Sequence, residues 1–152
     1  MSFTTGNGTR GARQPGGWLA RWSNKMMSGR VRKSGKVMGL NALVLTTVGR
    51  KSGTERQIPL GWFPGKDGSW LIVASANGAT NNPAWYYNLA ANPDRAQIEV
   101  EGRTVTVVAE ELHGAERDEA WQQITAAAPR YGGYTAKTDR QIPVIRLVAR
   151  SA

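Results

Sequence analysis

Cysteine is absent from the 152 residues, and histidine occurs once. The first absence excludes disulfides, thiolate nucleophiles, iron–sulfur clusters and zinc sites built on thiolate. The second removes metal centres that need two imidazoles and makes any Ser-His-Asp arrangement depend on His113, so no metal site is expected. His113 stands in the polar stretch EELHGAERDE, which reads as a solvated loop. Acidic residues are scarce at the start of the chain. Residues 1–56 hold eleven Lys and Arg against Glu55 alone, a balance of +10, whereas the remainder balances at −1 of the net +9. Such asymmetry predicts an anionic partner for the first third: a phosphorylated ligand, a lipid surface or nucleic acid. No window approaches the roughly 18 uninterrupted apolar residues of a membrane-spanning helix, and MSFTTGNGTRGARQPGG has no secretory apolar core. The expected location is the cytoplasm. With few reagents among its side chains, the protein would leave hard chemistry to a bound cofactor that it holds and orients.

What is present suggests one folded domain, with hydrophobic residues at 40%. Residues 1–16 mix Gly, Thr, Arg and Pro without periodicity and read as a mobile tail. In residues 17–36, Trp18, Leu19, Trp22 and Met26 share one helical face with Arg21 and Lys25 on its flank, a short amphipathic helix ending near Ser28 to Arg30. That helix packs on the domain or, with two Trp beside basic residues, rests in the headgroup layer of an anionic membrane. After the basic linker, residues 37–152 hold LNALVLTTV, RQIPLGWF, SWLIVASA, AQIEVE, RTVTVVAEEL and PVIRLVAR, short β-branched segments that read as strands. KDG at 66–68 and EG at 101–102 turn hairpins. NNPAWYYNLAANP reads as a helix with Asn82 as cap, Pro83 at the first position and Asn92–Pro93 as its stop. GAERDEAWQQITAAA is a second helix with Trp121 and Ile124 facing inward. The fold class is mainly β with short helices (α+β), arranged as a small antiparallel barrel.

Three stretches could carry chemistry. TTVGRKSGTERQIPL places Arg50, Lys51 and Arg56 around Ser52, Gly53 and Thr54 between two apolar runs. It is either a hairpin turn kept soluble by its bases or a cradle in which backbone N–H groups, hydroxyls and cations take phosphate oxygens. In VASANGATNNPAWYYNL, Ala74, Ser75 and Ala76 leave room for a flat ring. The Pro83 helix follows, and Trp85 and Asn88 share a face that could meet a ligand, although Trp85 equally suits the core. In PRYGGYTAKTDRQIP, Tyr131 and Tyr134 flank two glycines in what reads as a flexible loop, suited to a lid over a planar substrate or to simple anchoring.

TTVGRKSGTERQIPL, NNPAWYYNLAANP and TDRQIPV, in this order and spacing, resemble the deazaflavin-dependent nitroreductase family of actinobacteria. The similarity runs from Leu43 to Val148. It implies a split β-barrel related to FMN-binding split barrels, and coenzyme F420, whose phosphate and oligoglutamate tail is anionic, as cofactor. The resemblance assigns Arg50, Lys51, Ser52, Gly53 and Arg56 to that handle, Ala74, Ser75 and Ala76 to the ring, and Ala84, Trp85 and Asn88 to the edge of the groove, with Thr54 and Pro59 also among the cofactor-binding residues. Ser75, Tyr131 and Tyr134 match residues bordering the reacting centre. Gly61, Ala76 and Lys137 replace a tyrosine, a lysine and an aromatic found in a well-known member, which implies a wider and differently charged pocket.

The resulting expectation is a reductase passing hydride from reduced F420 to a quinone, menaquinone-like, or to a nitroaromatic acceptor. The inner face of the cell membrane would be the surface met by residues 17–36, and a homodimer is compatible with the fold. The rivals are an FMN-dependent oxidoreductase or flavin-storing protein on the same barrel, and a basic module binding lipid or nucleic acid without catalysis. No sequence-specific nucleic-acid contact is expected, because Trp18 and Trp22 lie on an apolar face rather than on a stacking platform.

Overall fold

The computed structural model describes residues 3, 8, 28–31, 33, 35–37, 40–75, 82–137 and 141–150, with backbone alone at 37 and 134–137. The proposed helix over Trp18 to Met26, and nearly all of the 1–16 tail, lie outside the described residues. The strands are β1 (Lys36–Val37), β2 (Leu40–Val48), β3 (Glu55–Gly61), β4 (Phe63–Pro64), β5 (Trp70–Val73), β6 (Ala96–Val100), β7 (Arg103–Glu111) and β8 (Val144–Ala149). The helices are α1 (Ala84–Ala91), α2 (Gly114–Ala127) and α3 (Arg130–Lys137).

All pairings are antiparallel, in the order β1-β2-β6-β7-β8-β5-β4, with β3 also on β2. Because β3 and β4 lie at opposite ends of this order yet are separated in sequence by Trp62 alone, the sheet must curl until its edges meet. RQIPLGWF is therefore two strands rather than the single one expected, and the Trp62 N–H adds a last rung to the β2–β3 pairing by donating to the Asn41 carbonyl (2.9 Å) before β4 begins. The interior fills by strand alternation: Leu43 and Leu45, Ile72, Ala96 and Ile98, Val107, Ile145 and Leu147 form one cluster with Trp85 and Leu89 of α1. Each such side chain contributes about 1.5–3 kcal/mol by leaving water.

Strand β5 is buried on both faces. Its Leu71 and Val73 meet a second cluster under α2, with Phe63, Leu112, Ile124 and Val144. Ile124 is fully buried as expected, and Trp121 packs at the edge of the cluster. A third cluster joins Val31 to Ala42 and Val44 on the outer face of β2. Residues 28–31 and 33 are helical, so helix persists beyond the expected end, and the basic linker supplies β1, paired Lys36 to Asn41.

Both expected hairpin turns form. At the second, Glu101 and Gly102 have φ of 50° and 77°, which the EG pair accommodates in a primed turn. Three expectations need correction. RYGGYTAK is helix α3, not a flexible loop: Tyr131 stacks edge-to-face on Phe63 (5.7 Å, 80°), a contact that offsets the cost of two helical glycines. Pro83, with ψ of 155°, occupies the N-cap of α1 and Asn82 donates instead to Tyr87 Oη (3.4 Å); Asn92 is the C-cap as expected. His113 is the N-cap residue of α2, half-buried, with Nδ1 3.6 Å from Glu111 Oε2, rather than solvated in a loop.

Candidate active site

The β2–β3 hairpin ends in a tight turn over 49–54. Gly49 N–H donates to the Thr54 carbonyl (2.8 Å), Gly53 N–H to the Gly49 carbonyl (2.8 Å) and Thr54 N–H to Ser52 Oγ (3.2 Å). Gly53 has φ of 70°, a left-handed conformation that glycine adopts without penalty. Gly49 is required for a different reason: a Cβ there would sit 2.7 Å from Ser52 Oγ and 3.2 Å from the Thr54 carbonyl. Among the described residues, the N–H groups of Lys51 and Ser52 have no acceptor, and both residues are exposed.

The turn is fastened from a distance of 38 residues. Asn88, 6% exposed on α1, accepts the Arg50 N–H on Oδ1 (3.1 Å) and donates from Nδ2 to Thr47 Oγ1 (3.3 Å). The Arg50 guanidinium lies over the neighbouring Tyr87 ring, 5.0 Å from its centroid, an arrangement worth about 0.5–1 kcal/mol when exposed. Arg56 pairs with Thr47 across the hairpin and so shares its face, and its Nε approaches Gly49. Arg50, Lys51, Ser52, Gly53, Thr54, Arg56 and Asn88 thus converge on one end of the barrel, where hydroxyls, the N–H groups of exposed Lys51 and Ser52 and three cations make an anion-compatible donor set. That set fits a phosphate and a polycarboxylate tail. Pro59 pairs with Val44, on the opposite face of the hairpin from Arg56.

The expected ring site is described in part. Ala74 is fully buried, its N–H bonded to the Pro143 carbonyl (3.0 Å), and Ser75 is 9% exposed; Ala76 lies outside the described residues. Ala84 is exposed on the first turn of α1, whereas Trp85 is 5% exposed in the barrel interior, the core position weighed from sequence. Tyr131 belongs to the cluster that includes Val73, two residues before Ser75; the side chain of Tyr134 is outside the described set. At Gly61 a Cβ would lie 3.0 Å from Leu40 Cδ1, so a larger side chain there requires that leucine to shift. No group of three His, Cys, Asp or Glu that could hold a metal occurs among the described residues. Sequence reasoning missed Thr47 and Tyr87, whose roles arise only from the long-range contact between the turn and α1.

The sequence model of the family described as F420H(2)-dependent quinone reductase matches residues 19–149. This chain belongs to the F420H(2)-dependent quinone reductase family. It is 38% identical over 112 residues to the F420H(2)-dependent quinone reductase Rv1261c of Mycobacterium tuberculosis, covering 72% of this chain and 74% of the relative. One of the solved structures it is similar to is an F420-H2 dependent reductase, FDR-A, at 36% identity with a TM-score of 0.63, covering 70% of this chain and 93% of the other. A structure described as a domain-swapped dimer matches at 31% identity with a TM-score of 0.65, covering 86% and 97%. Family, split-barrel fold and F420 as the family's cofactor agree with the resemblance read from the three motifs.

Proposed function

We propose that this protein reduces a quinone with hydride from reduced F420, gripping the cofactor's anionic handle at the 49–56 turn. The observation that carries the reading is that turn: three cations and the N–H groups of exposed Lys51 and Ser52, fixed by Asn88, in a chain of the quinone reductase family. When bound, the reduced deazaflavin supplies hydride from ring carbon C5. Arg50, Lys51 and Arg56 neutralise the handle, and Ser52 and Thr54 donate to its oxygens. Ala74 and Ser75 are small enough to let a flat ring approach the end of β5. Fixing the ring against the acceptor supplies rate through proximity. Quinone reduction takes up a hydride and a proton, and negative charge grows on the acceptor oxygen as hydride arrives. We assign Ser75, Tyr131 and Tyr134 as the hydroxyl donors for that oxygen. A nitroaromatic, whose oxygens develop charge in the same way, is a second acceptor class.

A lipid-soluble quinone favours an enzyme resting on a bilayer. Exposed Arg30, Lys33 and Lys36 continue the basic character of the preceding residues and support an anionic headgroup surface as partner. No helix among the described residues is long and apolar enough to cross a membrane. Homodimerisation is part of the proposal, in keeping with the neighbour described as a domain-swapped dimer.

The test is a titration of purified protein with F420 and with FMN, followed by anaerobic mixing of reduced F420 with menadione. The expected result is preference for F420 and enzyme-dependent oxidation of the reduced cofactor. A yellow protein that retains FMN and ignores F420 would replace this reading with the flavin one.

A further inference from the structure

Among the described residues, the interior of the barrel holds one carboxylate that the proposed reaction does not use. Glu111 ends β7 on the inward face, 1% exposed, in the same alternation as Val107 and Ala109. Tyr86 Oη, itself 1% exposed on α1, donates to Glu111 Oε1. His113 Nδ1 faces the other carboxylate oxygen at 3.6 Å, and the Arg117 guanidinium lies close enough to feel the same charge. A carboxylate so deep is costly unless paired and hydrogen-bonded, so its neighbours hold it in one place. The residues after Tyr86 are Tyr87, which carries the Arg50 guanidinium, and Asn88, which accepts the Arg50 N–H and donates to Thr47. Helix α1 is therefore tied at one side to β7 and at the other to β2 and its turn.

We propose that Glu111 is a positioning residue for the anion turn, acting through Tyr86 and α1. The Tyr86 hydrogen bond fixes the rotation of a helix only eight residues long. That rotation decides whether Asn88 Oδ1 meets the Arg50 N–H. Residues 86 and 88 are only about half a turn apart on α1, so the constraint passes between them through the helix backbone. The inference rests on the turn being the cofactor's handle site, but its first readout needs no cofactor.

Amide hydrogen exchange is followed at Arg50 in the cofactor-free protein, with the Lys51 and Ser52 amides as unprotected references, and F420 affinity is measured by fluorescence. The variants are Tyr86→Phe, Glu111→Gln, Glu111→Leu and the double Tyr86→Phe/Glu111→Leu. Tyr86→Phe should speed Arg50 exchange and weaken F420 binding, each about fivefold, the scale of one ordinary intramolecular hydrogen bond lost. Glu111→Gln keeps an acceptor for the tyrosine and should stay within about twofold of wild type on both counts. The double variant should be no worse than Glu111→Leu, because both changes remove the same bond. Amides of β5 and β8 should keep their wild-type rates. If Glu111→Leu fails to fold, Tyr86→Phe and Glu111→Gln still decide. Wild-type Arg50 exchange and F420 affinity in Tyr86→Phe overturn the proposal. So does a uniform acceleration of every amide, which would mark a merely structural bond. A wild-type protein that takes no F420 while Arg50 still responds to Tyr86→Phe supports this inference and overturns the reading of the turn.

Discussion

Asn88 serves the turn with both ends of one amide, and each end can be tested separately. Asn88→Ala removes the acceptor for the part-buried Arg50 N–H and the donor to the buried Thr47 hydroxyl. F420 affinity should fall about tenfold, equivalent to about 1.4 kcal/mol. Asn88→Asp keeps the acceptor but sets a negative charge beside the handle, and should bind F420 more weakly than the alanine variant. Equal affinity in Asn88→Asp and wild type would show that no anion sits there. At Gly49 the expected effect is on folding: Gly49→Ala presses a methyl against Ser52 Oγ and the Thr54 carbonyl, and should cost about 1–3 kcal/mol in denaturant unfolding. The glycines of the turn were visible in the sequence. Their distinct tasks, close approach at Gly49 and positive φ at Gly53, were not, because only the folded turn separates a steric need from a torsional one.

At the level of elements, the strands were the easiest to read. LNALVLTTV is rich in apolar and β-branched residues and became β2 with the expected bounds, because it is buried on both faces, by the barrel interior and by Val31 outside. Helix α3 was hidden, since Gly132 and Gly133 lower its local propensity and the stabilising contact, Tyr131 on Phe63, spans distant parts of the chain. Its dependence on tertiary packing gives a prediction. Tyr131→Ala should loosen α3, seen as faster amide exchange over 130–137, while the β2–β3 hairpin keeps wild-type rates. Retained protection in α3 would mean that its helix stands without that ring. Helix α2 is fastened by Ile124, fully buried, and Ile124→Ala should lower stability by about 2–5 kcal/mol with F420 affinity unchanged. Arg146, which reaches Glu110 at 2.7 Å and Glu116 at 2.8 Å, joins α2 to β8 and β7; these hydrogen bonds raise its pKa further above its ordinary value.

Over the whole molecule, charge and architecture divide the chain in the same way. The +10 balance of residues 1–56 covers the described residues 28–31 and 33, β1, β2 and the anion turn, while the nearly neutral remainder builds most of the barrel wall. Cations serving both a headgroup surface and a cofactor handle make both interactions sensitive to salt. Binding to vesicles rich in phosphatidylglycerol should be strong at low ionic strength and lost near ~0.5 M salt, where screening is complete within a few ångströms. Vesicle binding that ignores salt, or none at all, would remove the membrane from the account. The central claim, that the cations of the 49–56 turn hold the cofactor's negative handle, is tested most directly by F420 titration of Lys51→Ala/Arg56→Ala beside wild type. The expected outcome is a Kd raised by more than about tenfold, at least 1.4 kcal/mol, with unfolding unchanged. An unaltered Kd would contradict it and leave the turn a hairpin kept soluble by its bases.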